Sequence, residues 1–541
     1  MSQNRPYDSI LVGAGHNGLV CAALLAAAGQ RVLVLERRSV VGGACVSEEI
    51  APGYTVSTCS YLVSLLAEDL IRDLELHRHG YKVLPRNPAS FTPTLDGQAL
   101  MLGRDEAFNH AQIAAFSAKD AEAFPRYEAF LTRVAEALEP MLMEAPPELL
   151  PLPATWRRRP WAQQLRDWLG AWKLRRALAS LGEEQPEALR LLLDPASQVL
   201  DRWFESEVLK ATLATDGVIG AFLPPSAPGT GYVLLHHVMG MAGGARGVWG
   251  YVEGGMGRIT QAMAAAARER GVEIRTGVGV VEILQSGGKV QGVRLEDGSR
   301  ILAKRVISNA TPEVTFRQLL PAGCLPAAFA RAVEAIDYAS ATVKINLAVS
   351  CLPDFLACPG SDKPGPQHQG TIHIGADRET IERAYDDAKY GRPSQRPMIE
   401  MTIPSALDPS LAPAGHHIVQ LFVQYAPYAL KEGSWDTERE RFADVCLAEI
   451  DRYAPGFSKG VLHRQVLAPP DLEREFGLTG GNIFHGAMGF SQLLSQRPVP
   501  GWSDYRTPLA GLYLCGSGCH PGGGVTGLPG RNAAKAILAD S

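Results

Sequence analysis

Short apolar runs closed by glycine clusters mark both ends of the chain, and helical periodicity fills much of the middle. Tyr7 to Leu11 predicts a buried strand, followed by a turn and an alanine-rich apolar helix from Leu19 to Ala28, which Gly29 closes as a C-cap. Arg31 to Leu35 predicts a second strand, ending at Glu36. From about Lys119 to Trp249 apolar residues recur at helical spacing, with breaks expected at Pro140, Pro146, Pro147, Pro151, Pro153, Pro160 and Pro186. A further alanine-rich helix runs to about Arg270. Beyond it, Lys289 to Leu295 and Arg300 to Ile307 predict a hairpin joined at Asp297-Gly298, its second arm ending near Asn309. Thr342 to Val349, Thr371 to Ile374, Pro397 to Ile403 and Ile418 to Tyr425 predict strands of a second, mixed sheet that would carry a substrate floor.

The first turn carries chemistry. Gly13-Ala14-Gly15-His16-Asn17-Gly18 lies between a strand and a helix, and Glu36 stands at the tip of the next strand. Gly13 permits the tight turn, Gly15 lets a pyrophosphate approach the backbone, and Gly18 lets helix and strand pack closely. Glu36 is placed to accept the ribose hydroxyl protons. The motif with its flanking elements specifies a dinucleotide but not which one. Arg37, Arg38 and then Gly42-Gly43-Ala44 follow, and this second glycine pair favours FAD, whose pyrophosphate and ribityl chain run along more backbone. Val280, at the start of an edge strand, is placed for a backbone contact to adenine, and Asn309 for a return of the chain to the same site.

The chain ends with a strand, Leu512 to Cys515, then Gly516, Gly518, His520, Gly523, Gly524 and Val525 before a final helix. Residues 522–527 match G-x-G-x-x-G, but no strand or acidic tip follows them. The run is expected to aim a helix N-terminus at an anionic part of the same cofactor, near flavin N1 and O2.

At 541 residues the chain is long enough for two or three domains. Hydrophobic residues make up 46% and charged residues 20%, with a net charge of −5, so nothing points to nucleic acid. Nine cysteines without C-x-x-C or C-x-x-x-x-C spacing argue against a zinc site or a thiol redox centre and fit a reducing, cytoplasmic compartment. No signal or transit peptide and no membrane-spanning run is expected. Residues 156–178 hold four of the eight tryptophans, with Trp161, Leu165, Trp168 and Trp172 on one helical face among Arg and Lys. Such a face suits an anionic membrane surface or a subunit contact.

The segments GAGHNGLVCAALL, ERRSVVGGACVSEEI, RWFESEVLKATLATDGVIGAF, GTGYVLLHHVMG, GGNIFHGAM and LYLCGSGCHPGGGV resemble the flavoprotein superfamily of phytoene desaturases, desaturase-like carotenoid ketolases and amine oxidases. The desaturases commonly carry Arg after the Gly-Gly pair, where this chain has Ala44. The resemblance implies an α/β fold with a discontinuous Rossmann-like FAD-binding domain, a mixed-sheet substrate domain and a helical lid. The expected division is FAD-binding at 1–80, 246–312 and 501–541, substrate domain at 81–118 and 313–500, and lid at 119–245. It also implies redox chemistry on a hydrophobic substrate by hydride transfer to flavin N5, with electrons passed to a quinone, O₂ or a protein. An amine oxidase reducing O₂ and a mainly structural flavoprotein stay open as alternatives. His236, His237, His485 and His520 are candidate proton acceptors, the last two nearest the expected flavin.

Overall fold

A computed structural model describes residues 6–149, 161–242 and 245–541. Its first sheet gathers distant parts of the chain. Strand Tyr7–Val12 lies between Val32–Glu36 and Arg300–Ser308, parallel to both. Glu273–Thr276 extends the sheet beyond Val32–Glu36, and the C-terminal strand Leu512–Leu514 pairs in parallel with Arg300–Ser308. The predicted hairpin is present, and Val280–Ser286 adds a third antiparallel strand at the edge. Parallel strands buried on both faces need continuous apolar runs, and VLVLE supplies one. Helices His16–Ala27, Gly257–Glu269 and Leu528–Ala539 cover the sheet. Their alanines and glycines allow close packing: a Cβ on Gly530 would lie 2.0 Å from the Asn17 carbonyl oxygen.

The second sheet has the order Val461–Leu467, Thr342–Val349, His417–Gln424, Met398–Thr402, Thr371–Ile374, Ser90–Pro93 and Ala99–Leu102. One face is apolar. Val343, Ile345, Leu421, Val423, Ile399 and Met401 form a core with Trp435, Phe442 and Cys446 of helix Trp435–Asp451.

A helical layer covers the other side of the molecule. Helices Ala118–Leu142, Gln185–Leu193, Ala196–Trp203, Glu207–Asp216 and Thr230–Val238 share a core of Phe124, Tyr127, Leu131, Leu191, Val199 and Leu234. Two expected proline breaks are not breaks. Pro140 sits inside Ala118–Leu142, where burial of one long face offsets the lost N–H bond, and Pro186 occupies the first turn of its helix, where no N–H partner is needed. Pro151, Pro153 and Pro160 lie outside the described residues. No described helix is long and apolar enough to cross a membrane. Helix Trp161–Ala179 carries the tryptophan stripe, and its apolar side chains face outward: Trp161 is 77% exposed and Trp168 64%. Residues 156–160 of that stretch lie outside the described residues.

Candidate cofactor and substrate site

The glycine turn is built around one carboxylate and one amide. Gly13 takes φ +94° and its N–H donates to the Leu35 carbonyl (2.8 Å). Glu36, buried at the strand tip, accepts from the Ala14 N–H (2.8 Å) and the Arg38 N–H (2.9 Å). The Val278 N–H donates to the Glu36 carbonyl, which carries residues 278–280 across the tip and brings Val280 to the same cavity. Asn309 lies under the turn. A Cβ on Gly15 would meet its Nδ2 at 2.6 Å, and one on Gly18 would meet the Gly13 carbonyl oxygen at 2.6 Å. Gly18 thus serves helix-to-strand packing, and a side chain at Gly15 would meet Asn309 while its backbone lines the cavity. Gly42 and Gly43 both have positive φ, and the Gly42 N–H donates to the Ala14 carbonyl (2.9 Å), so the second glycine pair abuts the first turn. Arg37 donates to the carbonyls of Arg474 and Glu475, and Arg38 pairs with Glu48 at 2.8 Å.

Gly13, Gly15, His16, Asn17, Glu36, Arg37, Arg38, Gly42, Gly43, Ala44, Val280 and Asn309 all line one cavity. Beside the turn, the buried His16 Nε2, Asn17 Oδ1 and Arg38 Nη1 have no hydrogen-bond partner among the described residues. Buried polar atoms normally have partners. Orphans beside a double glycine turn, with a carboxylate at the strand tip, fit a dinucleotide with phosphate and hydroxyl groups to offer them.

The C-terminal run contributes less than its glycine count suggests. Ser517, Gly524 and Val525 line the cavity, and Asn17 Nδ2 donates to Ser517 Oγ (3.2 Å). Gly516, Gly518 and Gly523 do not line it. Cβ atoms there would strike the Asn309 carbonyl oxygen, Pro312 and Phe484, so these glycines permit close packing. His520 is also misplaced by the sequence reading. It does not line the cavity, and its Nε2 bonds the Met141 carbonyl (2.9 Å), with burial lowering it to about 4. The last helix starts at Leu528 and packs its first turn against Asn17, with only Gly524 and Val525 reaching the cavity.

The cavity continues from the dinucleotide turn into a chamber between the second sheet and the helical layer. Its volume is about 1140 Å³, above the roughly 300–1,000 Å³ of a pocket for one small ligand. Leu62, Leu65, Leu102, Phe124, Leu131 and Leu234 give it apolar walls. His236, His237 and His485 line it as well. Burial lowers His236 and His485 to about 3, so both are neutral at physiological pH. His485 holds a left-handed backbone (φ 59°) and its buried Nδ1 has no partner among the described residues. Sequence reasoning missed Tyr61, Arg86, Asp216, Lys344, His373 and Glu400, all on the chamber wall. Lys344 is buried, donates to Asn346 Oδ1 (2.7 Å), and is lowered by desolvation to about 7. For Lys344 the signal was present: the strand TVKIN alternates polar and apolar residues, and that alternation belongs to a sheet with two different faces.

Comparison with known proteins agrees with this geometry. Residues 18–538 match the model of the family described as flavin containing amine oxidoreductase. The chain is 50% identical to rat pyridine nucleotide-disulfide oxidoreductase domain-containing protein 2, over 99% of this chain and 94% of that one. The nine cysteines here are all free thiols. It is 28% identical to hydroxyneurosporene desaturase of Cereibacter sphaeroides, over 98% and 97% of the two chains. The fold matches putrescine oxidase, solved with putrescine bound, with a TM-score of 0.61 at 15% identity, covering 99% of each chain. The chain belongs to the flavin containing amine oxidoreductase family as an FAD-dependent oxidoreductase, and the residues around the glycine turns fit that cofactor.

Proposed function

We propose that this enzyme is a dehydrogenase or desaturase of an isoprenoid- or lipid-like substrate, passing electrons to a quinone, O₂ or a protein and not taking them from NAD(P)H. The observation that carries this reading is one continuous cavity, which joins the dinucleotide turn to a chamber walled on one side by Leu62, Leu65, Leu102, Leu131 and Leu234. A desaturase among its relatives supports it.

Bound FAD supplies the hydride acceptor, held by the turn at Gly13 to Gly18, Glu36, the Gly42-Gly43 pair and residues 524–525. The chain's own residues do the rest. Leu62, Leu65, Leu102, Phe124 and Leu131 exclude water from the reacting carbons. Lys344 is the proposed proton acceptor. With desolvation holding it near 7, a substantial fraction is neutral at physiological pH and can take the proton that leaves with the hydride. Helix Trp161–Ala179 is the proposed contact to an anionic lipid surface. Its outward Trp161, Leu165, Trp168 and Trp172 are flanked by exposed Lys173, Arg175 and Arg176, which would let a poorly soluble substrate enter from the membrane.

The direct test is product analysis. FAD-loaded protein, an isoprenoid substrate and a soluble quinone should give a product two hydrogens lighter and an equivalent of quinol. Turnover of amines alone, with no isoprenoid or lipid oxidised, would contradict the reading.

A further inference from the structure

The sheet that floors the chamber is buried on both faces, yet only one face is apolar. Thr342–Val349 and Met398–Thr402 are buried at every position. The inward face presents two polar rows across paired strands. Lys344, Phe422, Glu400 and His373 stand side by side, and next to them Asn346, Gln420, Thr402 and Thr371. A polar sheet face normally meets water. Here the Glu400 row meets the chamber, where an unmatched polar surface is costly, while Asn346 and Gln420 donate to the backbone carbonyls of Thr58 (3.2 Å) and Ser57 (2.6 Å).

Two charged groups, Arg86 and Asp216, reach the Glu400 row from other elements. Arg86, 2% exposed, donates Nε to the Trp249 carbonyl (3.0 Å) and Nη1 to Thr371 Oγ1 (2.7 Å). Glu400, 5% exposed, accepts from the Tyr61 hydroxyl (2.7 Å). Asp216, the last residue of helix Glu207–Asp216, faces the chamber and accepts no hydrogen bond from the described residues. Both acids and Arg86 line the chamber.

We propose that this cluster is a head-group subsite, and that the substrate bears an uncharged oxygen function, a hydroxyl or carbonyl, held among Arg86, Asp216 and Glu400. The proposal rests on the dehydrogenase reading and narrows its substrate from a bare hydrocarbon to an oxygenated one. Charge balance selects the class. Arg86 is always charged. Burial, with Asp216 nearby, raises Glu400 to about 8, so at neutral pH it is protonated and donates. Burial raises Asp216 too, with His237 and Arg86 opposing that rise, which makes Asp216 the acid placed opposite Arg86. The other titratable neighbours are Tyr61, raised by burial, and His373, lowered to about 3 and hence neutral; Lys344 stands on the same row beyond Phe422. The cluster then offers donors and an acceptor at no net charge. A hydroxyl or carbonyl uses them without adding charge, whereas a carboxylate or ammonium group would leave a buried charge unbalanced.

Four C15 probes with the same kind of chain test this: farnesol, farnesoic acid, farnesylamine and the hydrocarbon farnesene. Binding to FAD-loaded protein is read from the flavin absorbance change at pH 7. Farnesol should bind at least tenfold more tightly than farnesene and than either charged probe. Its advantage should shrink above pH 8, as Glu400 loses its proton. In Glu400→Gln the preference should persist without that pH dependence, because the amide still donates. In Asp216→Asn it should fall, with FAD content confirming the fold of both variants. Equal binding of farnesol and farnesene, or tighter binding of the acid or the amine, overturns the subsite but leaves the dehydrogenase reading standing. Binding of none of the four removes both. Should a variant fail to fold, the wild-type probe series and its pH profile decide alone.

Discussion

Glu36 holds two backbone N–H groups, those of Ala14 and Arg38, before any ligand arrives. Glu36→Ala therefore orphans two donors in the turn and also removes the proposed ribose acceptor. A hydrogen bond to a charged group contributes about 1.5–3 kcal/mol, so FAD should bind roughly tenfold more weakly or worse, and the apoprotein should melt lower. Equilibrium dialysis and a thermal melt check the two parts separately; unchanged FAD affinity would mean that the ribose lies elsewhere. Gly15 makes a different prediction. Gly15→Ala drives a Cβ into Asn309 Nδ2, so Asn309→Ala in the same chain should recover part of the lost stability. If the double variant melts no higher than the single one, the clash is not with Asn309. Lys344 sets a pH limb. Its neutral form grows as pH rises through about 7, so flavin reduction by substrate should speed up across that range. Lys344→Met should reduce flavin more slowly, with the limb gone; an unaltered limb would assign the proton to another group. At this scale the sequence was clear where chemistry demands a fixed spacing, as in Gly13 to Glu36. It was misleading at His520, because a residue after a strand can turn to either side, and this one bonds Met141.

At the scale of elements, periodicity found most strands of both sheets but missed Val461–Leu467, Ser90–Pro93 and Ala99–Leu102: VLHRQVL has no alternation of polar and apolar residues, and the other two are four residues long without a flanking signal. Pro140 was read as a break because local propensity takes no account of a helix face buried along Phe124, Tyr127, Phe130 and Val134. The polar-in, apolar-out pattern of TVKIN was visible in the sequence, but which partner lies over each face is a tertiary fact. The tryptophan helix, Trp161–Ala179, was legible from spacing, and its outward face makes its own prediction. Replacing Trp161, Trp168 and Trp172 by Ser should cut cosedimentation with phosphatidylserine vesicles at low salt at least several-fold and leave FAD content unchanged. A wild-type protein that stays in the supernatant would end the membrane assignment.

For the whole molecule, the arrangement that matters is one dinucleotide fold whose cavity runs on into a substrate chamber. Strands from the beginning, middle and end of the chain meet in one sheet, and this discontinuity was readable because each segment carries its own glycine or hairpin signal. The charged floor of the chamber was not, since Tyr61, Arg86, Asp216 and Glu400 come from four separate elements with no shared motif. The central claim is that electrons enter the flavin from an apolar-chain substrate. It is tested most directly by following flavin absorbance after anaerobic mixing, with NADH, NADPH and farnesol in parallel. The account predicts bleaching by farnesol, recovery of the yellow flavin on adding a quinone or O₂, and slow or no bleaching by either nucleotide. Rapid stoichiometric bleaching by NADH or NADPH, with none by farnesol, would contradict it.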